Sequence, residues 1–151
     1  MSKTALILNG PNLNMLSVRQ PEIYGRQTLG DIEAMAAQKA ASLGLVSDFR
    51  QSNYEGELIG WLHEARGKIA GVIINGAGLT HTSVALMDAL MLMDCPVLEV
   101  HLSNIHKREP FRHVSYIAKA ATGSIAGFGA HTYILALDAL AALLADAPKD
   151  K

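Results

Sequence analysis

The chain alternates between two patterns of apolar residues. Five short runs have the composition of buried strands: TALILN (4–9), LVSDFRQ (45–51), GVIINGAG (71–78), PVLEVHLS (96–103) and TGSIAGFG (122–129). Between them lie longer segments in which apolar residues recur every three or four positions, as on one face of a helix. This alternation predicts an α/β fold with a mostly parallel sheet and helices on both of its faces.

Residue type marks the ends of the first two helices. Thr28 suits an N-cap and Gly44 suits a helix end, so the first helix is predicted between them. The second is predicted to follow Asn53 and to run to about Arg66. The residues expected to face the core are Leu29, Ile32, Ala36, Ala40 and Leu43 in the first helix and Leu58, Leu62 and Ala65 in the second.

The last two helical segments are apolar on every side. In residues 83–94 the only charge before Asp94 is Asp88, and in residues 133–145 the only charge is Asp138. A helix of this kind in a small domain must cover its outer face. We therefore predict that the chain forms a homo-oligomer.

One connection is much longer than the others. Residues 9–27, NGPNLNMLSVRQPEIYGRQ, join the first strand to the first helix and offer almost nothing to bury. Connections in compact domains usually have about four to six residues, and a much longer one is usually a functional lid or a disordered linker. Both interpretations are open from this segment alone.

Composition narrows the classes of function. The 151 residues suit one domain, half of them are apolar, and the net charge of −1 argues against nucleic acid as a partner. No apolar run is long enough for a signal sequence or a membrane span, and Cys95 is the only cysteine, so no internal disulfide is expected. We expect a single domain over residues 1–151, located in the cytoplasm, with a frayed tail from about residue 146.

Five β-α units in this length suggest the flavodoxin-like strand order 2-1-3-4-5. In open parallel sheets, ligands bind at the carboxyl ends of the strands, near the point where the strand order reverses. Asn12 follows the first strand, Asn75 ends the third, and Glu99, His101 and Ser103 lie in or just after the fourth. The sequence therefore predicts a site of polar side chains at this edge of the sheet.

These side chains admit structural roles as well as chemical ones. His101 would be a core histidine that donates to a backbone carbonyl, or an acid whose other ring nitrogen is held by Glu99 on the same strand face. Asn12 and Asn75 would be turn residues, or amides that orient a hydroxylated substrate. Their position at the carboxyl edge of the sheet favours the chemical role in each case.

Two loops add further candidates. His81 precedes a helix, where a helix start alone would account for the neighbouring threonines but not for the histidine. Arg112, close after the fourth strand, is placed to clamp a hydroxyl or a carboxylate, and Ser103 with the amide of Leu102 to bind a carboxylate. The basic loop residues Lys107 and Arg108 are interpreted as solvated.

Several familiar sites are absent from the sequence. No G-x-G-x-x-G turn, P-loop, G-x-S-x-G elbow or paired Cys/His spacing occurs, so dinucleotide, nucleoside triphosphate and metal sites are not expected. A response regulator would need acidic residues after the first strand, where this chain has asparagines.

The order of the longer motifs is more specific than any single signature. LNGPNLNML, RQSNYEGELIGWLHEA, VIINGAGLTHTSVALMDAL, PVLEVHLSNIHKREPFRHVSYI and GSIAGFG follow one another along nearly the whole chain, which resembles the type II 3-dehydroquinate dehydratases. The resemblance implies a flavodoxin-like catalytic subunit, trimers packed into a dodecamer, a small-molecule substrate, and neither cofactor nor metal. It also implies reversible dehydration of 3-dehydroquinate to 3-dehydroshikimate, in the shikimate route or in quinate breakdown.

By the same resemblance, Tyr24 is the base that forms an enolate, and Arg19 belongs to a lid, residues 10–26, that assists it. His101 is the general acid, with Glu99 behind it. The other implied roles are Asn12 near the enolate oxygen, Asn75 beside His101, Leu102 and Ser103 on the substrate carboxylate, His81 and Arg112 at the ring hydroxyls, and Asp88 in the site of a neighbouring subunit.

The chain departs from the usual family pattern outside these chemical positions. Ser17 stands where glycine is usual, Gln20 where glutamate is usual, and Met87 replaces a frequent arginine. The departures concern the lid and the subunit interface rather than the reaction type. The rival interpretation of the whole chain is a non-catalytic flavodoxin-like domain that binds a flavin or a phosphorylated ligand.

Overall fold

The computed structural model describes residues 2–24 and 26–147, with the side chain of Tyr24 outside the described part of the chain. Its five strands form one parallel sheet in the order β2-β1-β3-β4-β5, which confirms the predicted order. The strands are β1 (Thr4–Asn9), β2 (Val46–Gln51), β3 (Gly71–Asn75), β4 (Val97–His101) and β5 (Gly123–Ala126).

The helices cover both faces of this sheet. They are α1 (Pro21–Tyr24), α2 (Leu29–Ser42), α3 (Glu55–Ala65), α4 (Val84–Met91) and α5 (His131–Asp146). Short 3-10 turns occupy Leu13–Met15, Ala77–His81, Ile105–Lys107, Pro110–His113 and Ile117–Lys119. None of the helices in the described ranges is long and apolar enough to cross a membrane.

The strands divide their side chains between two hydrophobic cores. In β1, Ala5 and Ile7 face the core shared with α2 and α5, whereas Leu6 and Leu8 face the core shared with α3 and α4. This follows from the two-residue period of a strand, because successive side chains point to opposite faces. The central strands are buried on both sides, and they therefore read as continuous apolar runs in the sequence.

The predicted helix ends agree closely with the structure for α2 and α3. Thr28 caps α2 in a capping box, in which its hydroxyl accepts from the Asp31 N–H and the Asp31 carboxylate accepts from the Thr28 N–H. Gly44 and Gly67 follow the two helices with positive φ, a conformation that favours glycine. All eight residues predicted to face the core in these helices are buried or partly buried against it.

The two segments expected to be apolar on every side differ in the structure. In α5 none of the large apolar side chains is exposed, because α5 packs against the sheet and α2, and Asp138 forms an ion pair with Lys39 at 3.0 Å. The argument for an interface from α5 was therefore wrong. On α4, by contrast, Val84 and Met91 are exposed, and so is Leu92 immediately after the helix.

The long connection between β1 and α2 is more ordered than its sequence suggests. It begins with a 3-10 turn whose Leu13, together with the following Leu16, is only 5% exposed and belongs to the core. The expectation that the segment buries almost nothing was wrong at these two positions. Beyond them, Ser17 and Gln20 have φ values of 75° and 41°, which L-residues other than asparagine and aspartate seldom adopt. The glycine preference at position 17 therefore has a backbone cause.

The adjacent ends of β1 and β3 approach each other too closely for a side chain. A Cβ added at Gly10 would lie 2.5 Å from the carbonyl oxygen of Gly76, while the Gly10 N–H donates to the Asn75 carbonyl at 2.8 Å. This contact joins the two strands on either side of the reversal in strand order. Glycine at position 10 is thus required by space rather than by backbone conformation.

We expect Gly10→Ala to destabilise the protein by about 1–3 kcal/mol, because the added methyl group forces two backbones apart. Gly30→Ala is the matched control. It lies in α2, where a Cβ would meet only the Thr28 hydroxyl at 3.7 Å, and should stabilise by about 0.5–1 kcal/mol. Urea denaturation followed by far-ultraviolet circular dichroism measures both. An unchanged midpoint for Gly10→Ala would contradict the close approach.

Candidate active site

A small cleft lies at the carboxyl ends of β1, β3 and β4, where the strand order predicts a site. Its volume is about 90 Å³, well below the 300–1,000 Å³ typical of sites for drug-sized ligands. Eight of the predicted site residues line it: Asn12, Arg19, Asn75, His81, His101, Leu102, Ser103 and Arg112.

Two predicted site residues do not line this cleft. Glu99 lies behind His101, and Asp88 is exposed on α4. The side chain of Tyr24 lies outside the described residues, although its backbone ends α1. The structure therefore brings together most of the predicted set and leaves the base and the contribution from a neighbouring subunit as expectations.

His101 and Glu99 form a buried pair beneath the cleft. The Nε2 of His101 lies 2.7 Å from Oε2 of Glu99, and the two residues are 5% and 2% exposed. Because a carboxylate only accepts, Nε2 carries the proton, and Nδ1 is left for another partner. The alternative of a core histidine that donates to a backbone carbonyl is wrong for this residue.

Ser115 is a further partner of this pair that the sequence did not reveal. Its hydroxyl donates to the same Oε2 of Glu99 at 2.6 Å and accepts from the Ala118 N–H at 3.0 Å. Burial alone would raise the pKa of Glu99, but the hydrogen bonds from His101 and Ser115 outweigh it and lower that pKa below its usual value. Glu99 is therefore ionised at neutral pH.

His81 lies against His101 and has a different hydrogen-bond partner. The two rings are stacked, with centroids 6.4 Å apart and an angle of 19° between their planes. Nδ1 of His81 donates to the Val114 carbonyl at 2.7 Å. The pKa of His81 is lowered chiefly by burial and also by the nearby His101 and Arg112, despite the opposing effect of that hydrogen bond. A neutral His81 therefore leaves Nε2 as an acceptor.

The β3 end holds Asn75 in one orientation. Its Oδ1 accepts from the Ala77 N–H at 3.2 Å, and its Nδ2 donates to the hydroxyl of Tyr133 at 3.0 Å. Ala77 has a φ of 51°, a costly conformation for alanine that the surrounding packing must enforce. Asn12 also has positive φ, at 72°, which asparagine tolerates, and its N–H donates to Oδ1 of Asn53.

Arg108 was assigned wrongly to a solvated loop. It lines the cleft, its side chain is only 11% exposed, and its Nη1 donates to the Ser103 hydroxyl at 3.3 Å. Lys107 beside it is exposed, as predicted. Residue type does not distinguish the two, because both are basic residues at the end of the same 3-10 turn, Ile105–Lys107. Only the folded chain directs Arg108 to Ser103.

The charged side chains that line the cleft are all positive among the described residues. Its lining includes Arg19, Arg108 and Arg112, and it includes no aspartate or glutamate among the described residues. Arg112 is oriented by Glu109, which accepts from its Nε at 3.0 Å, and by the Phe111 ring at 5.0 Å. Such a surface suits a small anionic ligand. Across the described ranges, no three His, Cys, Asp or Glu side chains are grouped so that they could hold a metal ion.

Comparison with known proteins gives one consistent result. A family model described as "Dehydroquinase class II" matches residues 3–141. The 3-dehydroquinate dehydratase of Methylobacterium radiotolerans is 57% identical over 148 residues, covering 98% of this chain and 99% of that protein. The 3-dehydroquinate dehydratase 2 of Pseudomonas aeruginosa is 56% identical over 138 residues, covering 91% and 93%.

A solved structure agrees with these sequence matches. The type II dehydroquinase from Propionibacterium acnes superposes with a TM-score of 0.90 at 44% identity, covering 94% of this chain and 98% of that one. At this identity the similarity is one of sequence as well as of fold.

We expect the buried Glu99 to make stability depend on acidity. Because its pKa is lower in the folded state than in the unfolded state, its stabilising contribution is complete above about pH 4.5 and is lost as the pH falls below that value. Glu99→Gln should reduce this acid-induced loss. Unfolding in urea between pH 7 and pH 3.5 measures it, with the exposed Glu33→Gln as control. Parallel curves for the wild type and Glu99→Gln would contradict the assignment.

Proposed function

The chain belongs to the class II dehydroquinase family, and we propose on this premise that it removes water from 3-dehydroquinate through an enolate. The activity of the family, dehydration of 3-dehydroquinate in the shikimate pathway, is the activity of this chain. The product is 3-dehydroshikimate, and one catalytic domain performs the reaction. The observation that carries the mechanism is the buried Glu99–His101 pair beneath a cleft lined by arginines.

The reaction requires a base and an acid on the same small substrate. Tyr24 removes a proton from the carbon next to the ketone, and the electrons of the broken C–H bond form the enolate. The enolate then expels the hydroxyl group, and His101 in its acid form, with a proton on each ring nitrogen, gives the Nδ1 proton to that group. Water leaves, a carbon–carbon double bond forms, and His101 keeps the Nε2 proton that it donates to Glu99. Glu99 fixes the ring of His101 by accepting from Nε2, which leaves Nδ1 to face the reacting groups.

The base requires help from the lid. A free tyrosine has a pKa of about 10, so about one in a thousand is ionised at pH 7. Lowering that pKa by two to three units requires roughly 3–4 kcal/mol of preferential stabilisation of the phenolate. An arginine about 4 Å away supplies about 1 kcal/mol in bulk water but about 4 kcal/mol at the effective dielectric near a protein surface. Arg19, which lines the cleft, therefore activates Tyr24 when residues 10–26 close and exclude water.

The remaining cleft residues bind the substrate. Leu102, through its backbone N–H, and Ser103 hold the substrate carboxylate, next to the buried guanidinium of Arg108. Arg112 and the neutral His81 meet the ring hydroxyls, Asn75 lies beside His101, and Asn12 orients groups near the enolate oxygen. This assignment agrees with the charge of the cleft, because the substrate is an anion and the lining has no acidic residue among the described residues.

The rival function, a flavin-binding domain, fits the cleft poorly. The lining contains the imidazoles of His81 and His101 but no tryptophan, tyrosine or phenylalanine among the described residues, so a flavin would find little aromatic surface. A purified protein that absorbs near 450 nm would favour the rival.

The subunits assemble into a homo-oligomer, a dodecamer built of trimers, in which Asp88 reaches the site of a neighbour. Support comes from the outer face of α4, where Val84, Asp88, Met91 and Leu92 are exposed at helical spacing. Asp88 is thus a carboxylate within an exposed apolar stripe, and it does not line the cleft of its own subunit. A neighbouring subunit would cover this stripe.

We expect Tyr24→Phe to lower kcat by at least about 1,000-fold, since the loss of a positioned base costs roughly 10²–10⁴ in rate. Arg19→Ala should lower it by about 100-fold, which corresponds to roughly 3 kcal/mol of lost stabilisation. The appearance of the conjugated enone of 3-dehydroshikimate in the ultraviolet measures turnover. The exposed Tyr54→Phe serves as the matched control. Near-normal turnover in Tyr24→Phe would exclude tyrosinate as the base.

Light scattering after size exclusion tests the assembly separately. We expect a mass near twelve times the 16.1-kDa chain, and a smaller mass for Met91→Glu, which places a charge in the apolar stripe of α4. Ala41→Glu, an exposed position on α2, should leave the mass unchanged. A monomer at micromolar concentration would overturn the proposed assembly and the role of Asp88, but not the roles proposed for Tyr24 and His101.

A further inference from the structure

A buried polar cluster lies below the cleft, between the ends of β1 and β3 and the first turn of α5. It consists of Asn9, Asn75 and Tyr133, which are 0%, 3% and 0% exposed. The Tyr133 hydroxyl lies 2.6 Å from Oδ1 of Asn9 and 3.0 Å from Nδ2 of Asn75. Tyr133 does not line the cleft, so it meets the substrate only through Asn75.

The hydrogen bonds in this cluster have only one consistent direction. Nδ2 of Asn9 donates to the Arg50 carbonyl at 3.0 Å, which leaves Oδ1 of Asn9 as an acceptor. The Tyr133 hydroxyl must therefore donate to Asn9, and its oxygen accepts from Nδ2 of Asn75. Because Oδ1 of Asn75 already accepts from the Ala77 N–H, a rotated amide would lose both of its bonds.

We propose that Tyr133 is a positioning residue, which fixes the Asn75 amide so that its second N–H serves as a donor to a substrate oxygen. This N–H makes no hydrogen bond within the described part of the chain, and Asn75 lines the cleft. The inference rests on the proposed function, in which Asn75 contacts the substrate beside His101. It adds the reason why the amide presents nitrogen rather than oxygen.

The packing of the Tyr133 ring does not require its hydroxyl. The ring packs in the core, with its centroid 6.2 Å from that of Phe49, and a phenylalanine would fill the same space. Burial raises the pKa of the Tyr133 hydroxyl, so the group stays neutral and remains a donor to Asn9. A polar atom at this depth is stable only because both of its partners are present.

The test is a double-mutant cycle at positions 75 and 133, in which the wild type, both single variants and the double variant are assayed with 3-dehydroquinate. We expect Tyr133→Phe to lower kcat/KM by about 10-fold and Asn75→Ala to lower it by at least as much. The double variant should be no worse than Asn75→Ala alone, because Tyr133 acts through the Asn75 amide. Leu140→Ala, a buried position on the same helix, controls for general destabilisation and should leave kcat/KM unchanged at temperatures where it is folded.

Each outcome has a distinct meaning. Additive losses in the double variant, or normal kinetics in Tyr133→Phe beside an impaired Asn75→Ala, would overturn the role of Tyr133 and leave the proposed function intact. Normal kinetics in Asn75→Ala would overturn the substrate contact assigned to Asn75 and this inference with it. If Tyr133→Phe does not fold, Asn9→Ala removes the acceptor that fixes the direction of the Tyr133 hydroxyl. The hydroxyl can then donate to Oδ1 of a rotated Asn75 amide, and the variant should lower kcat/KM similarly.

Discussion

Glu99 lies beneath the cleft with almost no access to water, and an ionised carboxylate in such a place is stable only when hydrogen-bond donors replace its hydration. His101 and Ser115 supply those donors to a single oxygen. To do so, β4 must present residues 99 and 101 on one face, and the turn that carries Ser115 must return to the sheet edge. The requirement of one buried charge therefore fixes the tautomer of the imidazole and brings the loop that carries Ser115 back to β4.

Much of this arrangement follows from patterns that are local in the sequence. The sheet order follows from five apolar runs separated by helical segments, and the pairing of Glu99 with His101 follows from the two-residue period of β4. What could not be predicted depends on the path of the chain in space. Leu13 and Leu16 have no helical or strand period within their loop, yet they enter the core. Arg108 and Lys107 are alike in the sequence, and only the folded chain shows that Arg108 contacts Ser103 while Lys107 stays exposed.

The apolar helix α5 is a second case in which the sequence alone was misleading. Its sequence offers no polar face, which suggests a surface hidden by another subunit. In the folded chain α2 and the sheet cover its large side chains. Two of its polar groups have internal partners, Lys39 for Asp138 and two asparagines for Tyr133. A tyrosine in an apolar helix reads as a packing residue until the ends of β1 and β3 are placed beside it. The hydrogen-bond partners of its hydroxyl lie more than fifty residues away in the chain, so a local sequence pattern does not reveal them.

The backbone of residues 12–20 has a consequence for how relatives of this chain can differ. The segment is anchored by two leucines in the core, whereas Ser17 and Gln20 hold a left-handed conformation that costs roughly 1–2 kcal/mol for each such residue. A difference of 1.4 kcal/mol changes an equilibrium tenfold. In the proposed closure of residues 10–26, the fraction of time for which the cleft is shut would depend on Ser17 and Gln20, which do not line it. Two chains with identical chemical groups can thus turn over at different speeds, and their rates can drift through backbone preference alone.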